Sequence, residues 1–188
     1  MENSDETIRS FFGIQLEPDC VKTLVSIANE FTDIPLAKRI KWTSVENLHI
    51  TMRFLGDINP KLIRNICNNI AFAINDCKPF PVTLTAPHLF PNRKRAQIIA
   101  ALTQDDEELV LLAKNIETAL ERSGFPPEGR RFRGHITLAR SKSPIKDYKS
   151  LQQHEKCLTT RVNNVVFFQS ELTPEGAKYS IIERFEFK

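Results

Sequence analysis

Apolar positions recur along this chain in two rhythms. Residues 8–16, IRSFFGIQL, concentrate β-formers and predict a strand. After Pro18 the spacing changes. Val21, Leu24, Val25, Ala28 and Phe31 fall three and four apart, which predicts a helix to about Phe31. Between Ile40 and Leu55 a short strand is expected around Trp42 and a second over LHITMRFL, stopped by Gly56 and Pro60. Leu62, Ile66, Ile70 and Ala73 then line one face of a helix from about Lys61 to Asn75.

The segments PVTLTA (81–86) and AQIIAAL (96–102) return to strand patterning on either side of PNRKR. Residues 105–124 form the clearest helix. Acidic residues fill its first turn, which suits the positive end of the helix dipole, while Arg122 stands near the last turn and Gly124 just beyond. FRGHITLA (132–139) is a strand, and the polar stretch 141–158 yields no assignment. RVNNVVFFQS (161–170) and KYSIIERFEF (178–187) are expected to close the fold as a strand pair. This order fits an α+β or an α/β arrangement.

Composition narrows the class. With 188 residues, 41% hydrophobic and 26% charged, the chain suits one soluble globular domain spanning 1–188. No linker or low-complexity stretch divides it. No apolar run approaches the ~20 residues of a membrane helix, and the start, MENSDETIRS, is too acidic and polar for a signal peptide. Cys20, Cys67, Cys77 and Cys157 are thinly spread with no CxxC pair, as expected of reduced thiols in a cytoplasmic protein. A net charge of +3 is compatible with phosphate or nucleic-acid ligands but selects none.

One internal echo carries chemistry. His49-Ile50-Thr51-Met52 lies in one expected strand, and His135-Ile136-Thr137-Leu138 lies in another, 86 residues later. With 4 His, 13 Thr and 18 Ile in the chain, about 0.03 His-Ile-Thr triplets are expected by chance. Strand alternation puts His49 and Thr51 on one face and Ile50 and Met52 on the other, and likewise for the second copy. Brought together, two imidazoles can serve as acid and base near neutral pH, and two hydroxyls can hydrogen-bond phosphate oxygens. That is metal-free phosphoryl transfer of the ribonuclease kind. A metal site would need a further ligand. His88 and His154 are available, but no carboxylate or cysteine sits at ligand spacing around either triplet.

Other polar and aromatic residues have a chemical and a structural reading. Arg53 continues the His49/Thr51 face and either steers a phosphate or ends the strand in solvent. Arg140 points away from His135 by strict alternation, although the twist of a strand end can bring its fork back to a shared phosphate. The run Arg130, Arg131, Arg133 is a solvated edge or an attractor for RNA phosphates. Phe11, Phe12 and Trp42 suit core packing better than base stacking.

At these motifs the chain resembles the two-histidine phosphoesterase superfamily. Within it, the similarity is to the bacterial and archaeal RNA 2′,3′-cyclic phosphodiesterase family, historically called 2′-5′ RNA ligase. The resemblance runs through RSFFGIQL, IKWTSVENLHITMRFLGDI, RRFRGHITLAR and VVFFQSELTPEGAKYSIIERFEF, nearly the whole chain. It implies an α+β fold of two pseudo-symmetric lobes, each a mainly antiparallel β-sheet flanked by helices, around a central active-site groove. It implies His49 as proton donor and His135 as proton acceptor, with Thr51, Thr137 and Arg140 binding phosphate. No metal or other cofactor is implied. The substrate it implies is RNA with a 2′,3′-cyclic phosphate end, tRNA halves being one candidate, handled by a cytoplasmic monomer without membrane contact.

The expected reaction is hydrolysis to a 2′-phosphate. The same groups can also join a cyclic end to a 5′-hydroxyl in a 2′-5′ linkage. Rival expectations are a phosphodiesterase for a small cyclic nucleotide or an ADP-ribose cyclic phosphate, and a non-catalytic RNA-binding module. One departure stands out: the family usually carries proline just before the second histidine, and here the residue is Gly134.

Overall fold

The computed structural model describes residues 6–30, 40–90, 96–104, 106–145, 158–174 and 176–188. Strand β1 (Ile8–Gln15) leads into helix α1 (Pro18–Asn29), where Pro18 occupies the first turn and so loses no helical hydrogen bond. The short β2 (Ile40–Trp42) precedes β3 (His49–Ile58). Helix α2 (Ile63–Ala73) follows a 3₁₀ turn over Pro60–Leu62, which the Asn59 side chain caps by accepting from the Lys61 amide at 2.9 Å.

Strands β4 (Phe80–Phe90) and β5 (Ile98–Thr103) form the next antiparallel pair. Helix α3 (Glu107–Arg122) starts where the Asp106 carboxylate accepts from the Leu109 amide at 2.9 Å. It ends before Gly124, whose φ of 91° is the left-handed value glycine tolerates. Then come β6 (His135–Ser141), β7 (Leu158–Val162), β8 (Asn164–Thr173) and β9 (Gly176–Glu186).

Among the described residues every strand pair is antiparallel, which decides for α+β over α/β. The strands run β7-β4-β5-β6-β3-β1-β8-β9 in one sheet, with β2 added to β6. The sheet has two halves of four strands, β3-β1-β8-β9 and β6-β5-β4-β7, and the two His-Ile-Thr strands are the inner strand of each. They touch at Ile50 and Ile136, after which β6 continues beside β2.

Helices cover one face of the sheet. The main core lies beneath them and includes Phe12, Ile14, Ile50, Ile66, Ile70, Leu84, Ile99, Leu112, Ile136 and Phe167. Phe12 and Phe167 stack at 4.4 Å and are fully buried. Burying each such ring stabilises the fold by about 1.5–3 kcal/mol. Alternation sends Phe11 to the opposite face, where it forms a second, smaller cluster with Val166 and Phe168. Phe11 and Phe12 are thus both packing residues, as expected, but on opposite sides of the sheet.

Three expectations about elements need correction. Gly56 does not stop β3: it sits within the strand at φ 72° and the pairing continues to Ile58. Residues 161–170 are not one strand, because Arg161 and Val162 end β7 and a new strand starts at Asn164. Strand β4 runs on through Pro87 to Phe90, with an irregularity between Leu84 and Pro87. Phe31, most of the segment 141–158, His154 and Cys157 lie outside the described residues.

Candidate active site

The pairing of Ile50 with Ile136 brings the two motifs together. In an antiparallel pair, that register sets His49 opposite Thr137 and Thr51 opposite His135, all four on the face away from the helices. The two imidazoles are diagonal neighbours, a relation that spans about 7–8 Å between strands. Ile50 and Ile136 turn the other way and are fully buried.

Each imidazole is oriented in the same manner. Nδ1 of His49 bonds the Asn47 carbonyl at 2.7 Å, and Nδ1 of His135 bonds the Arg133 carbonyl at 2.9 Å. A carbonyl only accepts, so Nδ1 carries the proton in both rings and Nε2 is left for chemistry. Nε2 of His49 lies 2.9 Å from the Thr51 hydroxyl.

The surroundings of the rings differ. His49 stands on an aromatic floor: Phe11 at 4.9 Å, Tyr179 edge-on at 5.4 Å and Phe168 at 6.1 Å. His135 stacks on Phe90 at 4.4 Å, and the Arg133 guanidinium caps Phe90 at 5.0 Å. Burial pushes the His49 pKa below its ordinary 6.5. The Asn47 carbonyl opposes this, and the charges of His135 and Arg140 add to it. Burial also lowers His135, against the Arg133 carbonyl and with the charges of Arg140 and Arg133.

Gly13 makes room for this arrangement. A Cβ there would lie 3.1 Å from the Ile50 carbonyl oxygen and 3.2 Å from Cδ2 of His49. Gly134 has a different reason. A Cβ at that position would collide with the Thr103 hydroxyl, which instead donates to the Gly134 carbonyl at 3.2 Å. Thr103 therefore fills the space that a larger residue before the second histidine would occupy.

The two arginines after the motifs part company, and β-bulges decide how. On β6, Ile99 pairs with Ala139 and Ala100 with Thr137, so Leu138 is an extra residue. Leu138 and Ala139 are consecutively buried, and Arg140 emerges on the histidine face. A bulge, rather than end twist, thus overturns the strict alternation that aimed Arg140 away. Its charge is felt by His49, His135 and Tyr179.

On β3, Phe12 pairs with Arg53 and Gly13 with Thr51, so Met52 is the matching extra residue. That bulge turns Arg53 off the His49/Thr51 face, contrary to expectation. Arg53 bonds Glu117 at 2.9 Å, Glu128 at 3.3 Å and the Pro126 carbonyl at 2.8 Å, with its side chain 14% exposed. It ties β3 to α3 and takes no part in the groove.

Of the other basic residues, Arg130 is exposed, 4.0 Å from Glu128. Arg131 and Arg133 line a small cavity of about 300 Å³ beside Gly134. Trp42 is partly buried against the main core and borders a larger cavity next to Arg140. Phe54, Phe90 and Tyr179 escaped notice as groove residues. Only the bulge, the sheet order and the β8–β9 hairpin bring them there.

Burial raises the thiols of Cys20, Cys67 and Cys77, Cys67 to about 11, so they carry no thiolate nucleophile. Among the described residues no three His, Cys, Asp or Glu side chains gather as a metal site. None of the described helices is long and apolar enough to cross a membrane.

The comparisons agree with this architecture. The family model described as LigT like phosphoesterase matches residues 14–100 and 102–179. A Methanothermobacter thermautotrophicus protein named RNA 2′,3′-cyclic phosphodiesterase is 28% identical over 78% of this chain and 82% of its own length. An Aquifex aeolicus protein of the same name is 28% identical over 96% of this chain and 97% of its own. The crystal structure of TT0787 of Thermus thermophilus shares the fold with a TM-score of 0.80 at 23% identity, covering 96% of this chain and 98% of that one.

Proposed function

This chain belongs to the LigT-like phosphoesterase family and is a two-histidine phosphoesterase, and we propose that it hydrolyses the 2′,3′-cyclic phosphate at the end of an RNA to a 2′-phosphate. The observation that carries the proposal is the union of His49, Thr51, His135 and Thr137 on one sheet face, with Arg140 delivered to the same face by the Leu138 bulge.

In this reading a water gives its proton to Nε2 of His135 as its oxygen attacks phosphorus. The bond from phosphorus to the 3′ oxygen breaks, and that oxygen takes a proton from Nε2 of His49, leaving a 3′-hydroxyl and a 2′-phosphate. Thr51, Thr137 and Arg140 offset charge on the non-bridging oxygens. His135 begins neutral, which its lowered pKa favours. His49 must be charged, and the same depression opposes this in the free protein. A bound phosphate anion reverses the balance, because an opposite charge at hydrogen-bond distance favours the imidazolium.

Acid, base and anion binding are all supplied by side chains, so the reaction needs no metal or other cofactor. With a 5′-hydroxyl as nucleophile, the same steps yield a 2′-5′ linkage. Every group named comes from one chain, which supports action as a monomer. We place it in the cytoplasm, acting on RNA ends such as those of tRNA halves. Incubation with a cyclic-phosphate-ended oligonucleotide tests the reading, with the product resolved as 2′- or 3′-phosphate. A 2′-phosphate is expected. A 3′-phosphate, or turnover confined to ADP-ribose cyclic phosphate, overturns it.

A further inference from the structure

Past Arg140 the groove opens on its β2–β9 side into a cavity of about 670 Å³, within the range that holds a nucleotide-sized ligand. Its lining includes Lys41, Glu46, Asn47, Arg140, Lys178 and Tyr179. Lys41 and Arg140 face the groove, whereas Lys178, opposite Glu171 and next to Tyr179, contributes its backbone and turns its side chain to the other face. Arg140 and Tyr179 also border the histidine pair, so cavity and catalytic face are continuous.

The wall is a defined structure. Lys41 pairs with Arg140 across β2 and β6, which puts both side chains on the histidine face. The Lys41 ammonium rests over Gly176, 3.2 Å from where a Cβ would stand, and a side chain there would displace it. The Asn47 amide donates to the Ala177 carbonyl at 2.6 Å. The same Asn47 holds Nδ1 of His49 through its own carbonyl. The hairpin that shapes the cavity and the turn that orients the histidine are therefore one unit.

A nucleoside 2′,3′-cyclic phosphate has a single phosphate, and Thr51, Thr137 and Arg140 already receive it. Lys41, directly across from Arg140 on the same face, suits a second one. We propose that this cavity binds the 5′-phosphoryl group of the terminal nucleotide, the phosphodiester that joins it to the rest of the RNA, with Lys41 as its counter-charge. The proposal rests on the phosphodiesterase reading and adds a preference for ends that belong to a chain.

The test compares three substrates: adenosine 2′,3′-cyclic phosphate, its 5′-phosphorylated form, and the dinucleotide ApA with a cyclic phosphate end. The 5′-phosphoryl group should lower KM about tenfold or more, equally in the last two substrates, and added salt should erode the advantage. Lys41→Gln, at an exposed position, should shrink the KM ratio between the first two substrates towards one. Lys61→Gln, an exposed lysine on the α2 side, should leave the ratio intact. Equal KM for the first two substrates overturns the proposal, as does an equal rise in both KM values in Lys41→Gln. Turnover of none of the three removes the phosphodiesterase reading itself, and this proposal with it.

Discussion

Arg140 and Phe54 occupy equivalent places, each five residues after its motif histidine and two after the bulged residue of its strand. One half of the sheet thus presents a guanidinium to the groove where the other presents a phenyl ring, 56% exposed and 5.5 Å from Phe11. The two halves repeat a backbone plan, and their side chains divide the work between charge and apolar contact. Such an exposed ring, packed against the Phe11 that supports His49, suits stacking on a nucleobase.

The histidines should titrate in opposite senses. His135 must be neutral to accept a proton, so activity falls as pH drops through its pKa. His49 must be charged, so activity falls as pH rises through its pKa. Because burial depresses His49 in the free protein, the alkaline limb of kcat/KM should lie below the ordinary 6.5, and that of kcat, which reports the complex, should lie higher. Alanine at either position should cost ~10²–10⁴-fold in turnover, and the double variant far less than the product. Persistence of the alkaline limb in His49→Ala would reverse the roles.

Arg140 and Arg53 should fail differently. Arg140→Ala should lower kcat/KM more than Arg140→Lys, because lysine keeps the charge but not the fork. Arg53→Ala should instead lower stability by about 1.5–3 kcal/mol, through loss of its charged hydrogen bonds to Glu117 and Glu128. Its kinetics per folded molecule should stay near the parent. Denaturant unfolding and steady-state rates on the same preparations separate the two, and a KM effect in Arg53→Ala would return that residue to the groove.

Gly13→Ala should act through His49. The added methyl meets Cδ2 of the imidazole at 3.2 Å and the Ile50 carbonyl oxygen at 3.1 Å, so the ring must shift. A shift of a few tenths of an ångström relieves the contact, so we expect kcat to fall severalfold, short of the ~10²-fold of a ~1 Å misplacement, with a smaller change in KM. An unchanged kcat would show that the strand yields without moving the histidine.

Gly134 and Thr103 should be coupled. Gly134→Ala overpacks against the Thr103 side chain and should cost about 1–3 kcal/mol. In a Thr103→Ala background most of that cost should vanish, a coupling of about 0.5–3 kcal/mol in a double-mutant cycle. Strict additivity would mean that the backbone before His135 moves aside freely.

On the proposed mechanism activity should survive exhaustive treatment with EDTA, since side chains would supply the acid, the base and the anion binding. Loss on chelation that one added metal restores would replace this mechanism.

Local pattern determined much of this protein. The concentration of β-formers in IRSFFGIQL and the three-and-four spacing of the helices fixed where strands and helices form, because each depends on neighbours in the chain. The doubled His-Ile-Thr likewise named the side chains that meet on the groove face, since alternation alone puts each imidazole beside a hydroxyl. Parity past the motifs was another matter. One extra residue in a strand reverses every side chain beyond it, and Met52 and Leu138 become extra only against their partners on β1 and β5. That reversal sent Arg53 to α3 and Arg140 to the groove, opposite to what a regular strand dictates. The aromatic supports of the histidines, Phe90, Phe168 and Tyr179, were decided the same way. Each stands far along the chain from the ring it touches, and only the order of strands in the sheet brings them there.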